Sequence, residues 1–102
     1  MYKLLGTEII ARGKEAEDKA WRQKQDKLFK QRGIEPFKVY GVLGREAGRI
    51  FYEGLEFETW QEVEEFSARY AADEEIQKLE RERAENRIVV EGTQEFFILT
   101  DY

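Results

Sequence analysis

Gly48-Arg49-Ile50-Phe51-Tyr52-Glu53-Gly54-Leu55-Glu56-Phe57-Glu58-Thr59-Trp60 reads as a strand that runs straight into a capped helix. Thr59 is a favoured N-cap, and Glu62, three residues on, completes a capping box. Trp60, Val63, Phe66 and Tyr70 then recur at helical spacing and mark the buried stripe. Asp73-Glu74-Glu75 supplies a second cap that restarts or bends the helix, Ile76 and Leu79 carry the stripe on, and the helix stops near Asn86.

Upstream of this stretch, Pro36 restarts the chain in extended form, and Phe37 to Leu43 reads as a strand. Phe37, Val39 and Leu43 share one of its faces, Tyr40 and Val42 the other. Gly44-Arg45-Glu46-Ala47-Gly48, with glycine at both ends, suits a hairpin loop. Further upstream, Tyr2 to Arg12 is a strand and Lys14 to Arg32 a helix. Ala16, Ala20, Trp21, Leu28 and Phe29 are its expected buried stripe, with acids in its first turns and bases in its last. After the second helix, Ile88 to Val90, a turn at Glu91-Gly92-Thr93, and Gln94 to Asp101 supply the final strand. The order β-α-β-β-α-β predicts an α+β, ferredoxin-like domain over residues 1–102: a four-stranded antiparallel sheet with two helices on one face.

Two helices cover one face of such a sheet, so the other should alternate apolar and polar residues if it meets water. Leu4-Leu5, Ile9-Ile10, Val42-Leu43, Ile50-Phe51-Tyr52 and Phe96-Phe97-Ile98-Leu99 break that alternation. A second apolar face calls for a cover, and a symmetric partner supplies one. The expectation is a homodimer joined through the sheet faces.

Composition narrows the chemistry. The chain has neither cysteine nor histidine, which removes thiolate nucleophiles and disulfides, the commonest zinc ligand, and the usual neutral-pH base. No segment reaches the ~20 apolar residues that cross a bilayer, and no signal peptide is read at the start. Cytoplasmic location, no metal, no cofactor and no membrane partner are the expectations. The net charge is −5, unevenly placed: residues 1–50 hold 12 Lys and Arg against 7 Asp and Glu, residues 51–102 hold 5 against 15. With no nucleic-acid motif present, this reads as two solvated helices of opposite charge rather than a nucleic-acid face.

Candidate site residues are Glu8, Tyr40, Tyr52, Glu53 and Trp60. Glu8, Tyr40 and Tyr52 are expected on one face of neighbouring strands, where they could hold a phenolic or carbonyl ligand with Glu8 as a desolvated base. The competing reading packs the tyrosine rings in the dimer interface and pairs Glu8 with a lysine or arginine. Glu53 is either a barrel carboxylate or an edge charge that deters aggregation. Trp21 and Trp60 fit core packing better than substrate stacking.

Several stretches together resemble the dimeric α/β-barrel proteins, among them the antibiotic biosynthesis monooxygenase-like, NIPSNAP-like and stress-responsive families. They are Gly13-Lys14-Glu15-Ala16-Glu17, the glycine-bounded hairpin into Arg49-Ile50-Phe51-Tyr52-Glu53, Phe57-Glu58-Thr59-Trp60, and Val90-Glu91-Gly92-Thr93-Gln94-Glu95-Phe96. The resemblance implies sheets paired into a closed barrel, with a small pocket between each sheet and its covering elements. Some members oxidise aromatic polyketides with dioxygen and no cofactor; others degrade haem or isomerise lactones. Absent histidine sets this chain apart from the haem-degrading members. The Asn/Trp/Arg set of the oxygenases does not carry over, because Asn86 is the sole asparagine and falls at a helix end. Two functions follow as expectations: a dimeric barrel that binds, and oxidises or isomerises, a small apolar or aromatic molecule; or a non-catalytic dimeric interaction module whose barrel is filled by side chains.

Overall fold

The computed structural model describes residues 1–102. Its elements are β1 (Tyr2–Ile9), α1 (Glu15–Gln31), β2 (Lys38–Gly41), β3 (Arg49–Phe57), α2 (Trp60–Ala72), α3 (Glu74–Glu85) and β4 (Glu95–Thr100). The four strands form one antiparallel sheet in the order β2-β3-β1-β4. This is the ferredoxin-like α+β architecture the sequence predicts. Strand ends are shorter than expected: β1 stops at Ile9, and Ile10 continues only as an isolated bridge to Val89. The Ile88–Val90 segment lies along that end of β1, with Ala11 N–H donating to the Ile88 carbonyl and Val90 N–H to that of Ile9.

The second helix divides in two at Asp73, whose backbone is extended. One carboxylate oxygen of Asp73 accepts from the N–H groups of Glu75 and Ile76, and the other accepts from Arg32 Nε at 2.7 Å. The break is thus capped on one side and clasped to the end of α1 on the other, which satisfies donors a helix start leaves orphaned. Thr59 caps α2 as predicted, accepting from Glu62 N–H at 3.2 Å. Glu62 returns the bond to Glu58 N–H rather than to Thr59, one residue earlier than a standard capping box.

Register fixes which residues meet the helices. Lys3 opposes Glu56 and Leu5 opposes Glu53, so β3 carries one extra residue there, a bulge. The bulge places Tyr52 and Phe57, five residues apart, on the same helix-covered face, and both are buried. Two glycines are required by their surroundings. The Tyr52 ring occupies the space where a Cβ on Gly6 would stand, and Gly48, at φ +84°, lies against the Ile10 carbonyl.

The core has two apolar clusters beneath the helices. One joins Ile10, Trp21 and Ile88; the other joins Leu28, Phe29 and Ile76. Full burial of a side chain such as Phe29 stabilises the fold by roughly 1.5–3 kcal/mol. The buried stripe of α1 corrects the sequence reading: Ala16 and Ala20 are exposed, while Asp18 and Gln25 are buried beside Trp21, Leu28 and Phe29. Spacings of three, four and seven from Trp21 put these polar residues on the inward face, where alanine was expected.

Candidate functional site

Glu8 is fully buried on the helix side of β1, and its two oxygens meet donors from three elements. Arg83 of α3 lays its guanidinium fork across them, Nη1 to Oε2 at 2.9 Å and Nη2 to Oε1. Arg22 of α1 adds a bond to Oε1 at 2.6 Å, and Gln94, just before β4, adds one to Oε2 at 3.1 Å. Asp18 completes the cluster, accepting from Arg83 Nη2 at 2.7 Å and from Arg22 Nε at 3.0 Å. Two carboxylates thus face two guanidiniums in charge balance. A buried ion cluster survives only with such completeness, because each unpaired ion costs several kcal/mol to desolvate. Burial opposes the charge on Arg83, yet the bonds it donates to Glu8 and Asp18, with their negative charges, outweigh it and hold its proton more firmly than usual.

Aromatic rings wall the cluster. Trp21 lies under both guanidiniums, at 4.5 Å from Arg83 and 6.0 Å from Arg22, and its indole N–H donates to the Leu79 carbonyl at 2.7 Å. Arg22 also lies 5.5 Å from the Tyr52 ring, which stacks on Phe37 and meets Phe96 edge-on. Burial, and next the charge of Glu8, raises the Tyr52 hydroxyl well above the usual tyrosine range. Tyr70 is raised similarly by burial and by Glu80, to which its hydroxyl donates at 2.5 Å.

One cluster atom is left over. Arg83 is nine-tenths buried, and its Nε has no hydrogen-bond partner. Arg83 borders two spaces. A small chamber of about 30 Å³ lies between sheet and helices, walled by Trp21, Tyr52, Tyr70 and Phe96. An open groove of about 670 Å³ runs along Ala11, Ala84, Val89 and Val90, with Arg87, Glu91 and Gly92 among its other lining residues. Glu80, Arg83 and Gln94 line both and stand between them. The chamber has room for about one water or one oxygen substituent, which needs ~10–15 Å³ of such space. The groove has the size of a small-molecule site, typically about 300–1,000 Å³.

Of the residues singled out in the sequence, Glu8 and Tyr52 lie on the helix side of adjacent strands. Tyr40 does not join them. It opposes Phe51 in the register while Val39 opposes Tyr52, so Tyr40 lies on the uncovered sheet face, half exposed. Glu53 lies on that same uncovered face, 3.3 Å from Lys3, within the interior strand β3 rather than at an edge. Trp60, at the start of α2, meets Tyr2 edge-on and is half exposed. Glu8 is not a free base: all its bonds come from donors held in place, as the competing reading of an arginine partner anticipated. Asp18, Arg22, Tyr70, Glu80, Arg83 and Gln94 are not among the site residues the sequence singles out. For the helical ones the signal was polar residues in step with an apolar stripe, Asp18 and Arg22 around Trp21, and Glu80 and Arg83 after Ile76 and Leu79.

Sheet order, register and helix placement define the class of this chain as a ferredoxin-like α+β fold. Solved structures share it over the whole chain: a protein from Agrobacterium tumefaciens (TM-score 0.77, 12% identity, 100% of this chain and 94% of the other). An antibiotic biosynthesis monooxygenase matches with TM-score 0.68 and 11% identity over 100% and 99% of the two chains. A candidate antibiotic biosynthesis monooxygenase from Deinococcus radiodurans matches with TM-score 0.67 and 11% identity over 100% and 93%. No protein-family model and no curated protein matches the sequence. The likeness is one of fold, and it agrees with the resemblance carried by the hairpin and helix-entry motifs. No helix is long and apolar enough to cross a membrane.

Proposed function

We propose that this chain works in the cytoplasm as a homodimeric α/β barrel, binding a small apolar or aromatic molecule with a neutral oxygen and transforming it without metal or haem. The observation that carries this reading is the groove of about 670 Å³ that Glu80, Arg83 and Gln94 line beside the buried cluster. Because Glu8 and Asp18 already balance Arg22 and Arg83, the cluster suits a carbonyl or hydroxyl oxygen better than an anion. The aliphatic side chains of Val89, Val90, Ala11 and Ala84 suit the ligand's apolar body.

The reaction class is proposed by analogy with the monooxygenases that share the fold. A methylene beside an aromatic carbonyl becomes a second carbonyl, one atom of dioxygen entering the product and the other leaving as water with both hydrogens. Isomerisation of such a ketone is the redox-neutral counterpart. The dimer is supported by the uncovered sheet face. Tyr40, Phe51, Phe97 and Leu99 are all more than a third exposed there, with Leu5 and Ile9 beside them. Light scattering at micromolar concentration tests it: twice 12.2 kDa is expected, and a stable monomer refutes it.

The chamber's small volume favours a second reading, a non-catalytic dimeric module whose interior is filled by its own side chains. Calorimetric titration with apolar aromatic ketones separates the two. Saturable binding supports the ligand site; absence of heat across the series supports the filled module.

A further inference from the structure

Building on the ligand-binding reading above, we propose that Glu80 is a catalytic base that removes the proton from the carbon next to the ligand's carbonyl. Removal of that proton opens both oxygenation and isomerisation of a ketone, so the base is common to both. Four carboxylates stand near the groove, and three are poorly suited. Glu8 has both oxygens engaged by Arg22, Arg83 and Gln94, and Asp18 has both engaged by the same arginines. Glu91 is exposed on the groove alone.

Glu80 is placed differently. It borders the groove and the chamber together, half-buried on α3. Its one hydrogen bond comes from the Tyr70 hydroxyl to Oε1 at 2.5 Å, so Oε2 remains without a protein partner. Tyr70 thereby orients the carboxylate and leaves one acceptor oxygen for substrate. Arg83, three residues on, lines the same two spaces. One helix face thus carries a proton acceptor and, beside it, a guanidinium.

In the step itself, the C–H bond breaks and its electron pair passes into the ligand as an enolate. The proton moves to Oε2 of Glu80, and the enolate oxygen lies beside the Arg83 guanidinium that lines the same spaces. A cation already fixed in place stabilises that charge without reorganising. No oxidant is needed for this half of the chemistry, and return of the proton restores the ketone.

The experiment follows β-tetralone in D2O by proton NMR under argon, alongside its binding by calorimetry. Wild type should exchange the α-protons faster than buffer, and Glu80→Gln should lose about 100-fold or more of that rate, as loss of a general base does. Binding should stay within a few-fold, because the glutamine oxygen still accepts from Tyr70. Glu80→Asp, with a shorter carboxylate, should keep part of the exchange and guards against a glutamine variant that folds poorly. Exchange undiminished in Glu80→Gln overturns the assignment, as does wild type that binds the ketone without exchanging it. If wild type neither binds nor exchanges, the ligand-site reading itself falls, and the base with it.

Discussion

Replacing Glu8 by glutamine isolates the buried cluster, since the side chain keeps its shape and loses its charge. Glu8 is fully buried and accepts from Arg83 twice, from Arg22 and from Gln94. In the variant an amide NH2 faces guanidinium donors, and two arginines share the one remaining acid, Asp18. Removing one partner of a buried ion pair costs about 3–5 kcal/mol, because the other charge is left without compensation. For a chain of this size each kcal/mol moves the midpoint by about 4–8 °C, so Glu8→Gln should melt at least about 12 °C lower. Urea and thermal unfolding at one fixed protein concentration, followed by circular dichroism, read the loss. The matched control is Glu82→Gln, whose carboxylate pairs with Lys24 at 2.8 Å between α3 and α1, with both side chains more than a third exposed. An exposed pair of that kind contributes about 0–1 kcal/mol. If Glu8→Gln costs no more than Glu82→Gln, the buried cluster does not hold the fold together.

Other expectations test separate parts of the fold. Gly6→Ala should cost about 1–3 kcal/mol by overpacking, read as a lower urea midpoint, because the new methyl group meets the buried Tyr52 ring. Thr59→Ala should cost about 1 kcal/mol through the lost N-cap of α2, on the same assay. Tyr52 and Tyr70 are raised in the folded state, chiefly by burial, so their contribution to stability is complete below the unfolded tyrosine value of 10.0. It is lost as pH climbs from there through the folded values. Ultraviolet titration should find two tyrosines ionising late, and stability measured across the same range should fall; five tyrosines titrating together would contradict it.

The sequence carried the architecture because each element is locally consistent. Thr59 with Glu62, the paired glycines of the hairpin, and the acid-capped restart at Asp73 each state their own structure. Face assignment was harder. The bulge in β3 shifts side-chain parity by one, and nothing in Glu53-Gly54-Leu55-Glu56 announces where the extra residue falls. Tyr40 was assigned beside Tyr52 on a parity that the register reverses. The site was less legible still. Glu8 and Tyr52 stand out from the strands, but the partners that define their chemistry come from α1, α3 and the segment just before β4. Their sequence separations of 14, 75 and 86 residues lie beyond any local pattern. Asp18, Arg22 and Arg83 also look like ordinary surface charges, and only tertiary pairing makes their burial tolerable. Ala16 and Ala20 misled for the converse reason, since small apolar residues are as common on an exposed helix face as on a buried one.

β4 remains unusual. Phe96 and Ile98 face the helix side, Phe97 and Leu99 the uncovered side, and all six residues of the strand are exposed. An edge strand this apolar invites pairing and would otherwise favour aggregation. A partner sheet that covers Phe97 and Leu99 would relieve part of that exposure, which ties the proposed dimer to the physical needs of the strand.

The most direct test of the proposed function is an amide NMR titration of the wild-type protein with β-tetralone. Saturable shifts are expected, centred on Ala84, Val89 and Gln94, along the groove that Glu80 and Arg83 border. No saturable shift anywhere, or shifts confined to Tyr40, Phe51 and Leu99 on the uncovered sheet face, would contradict it.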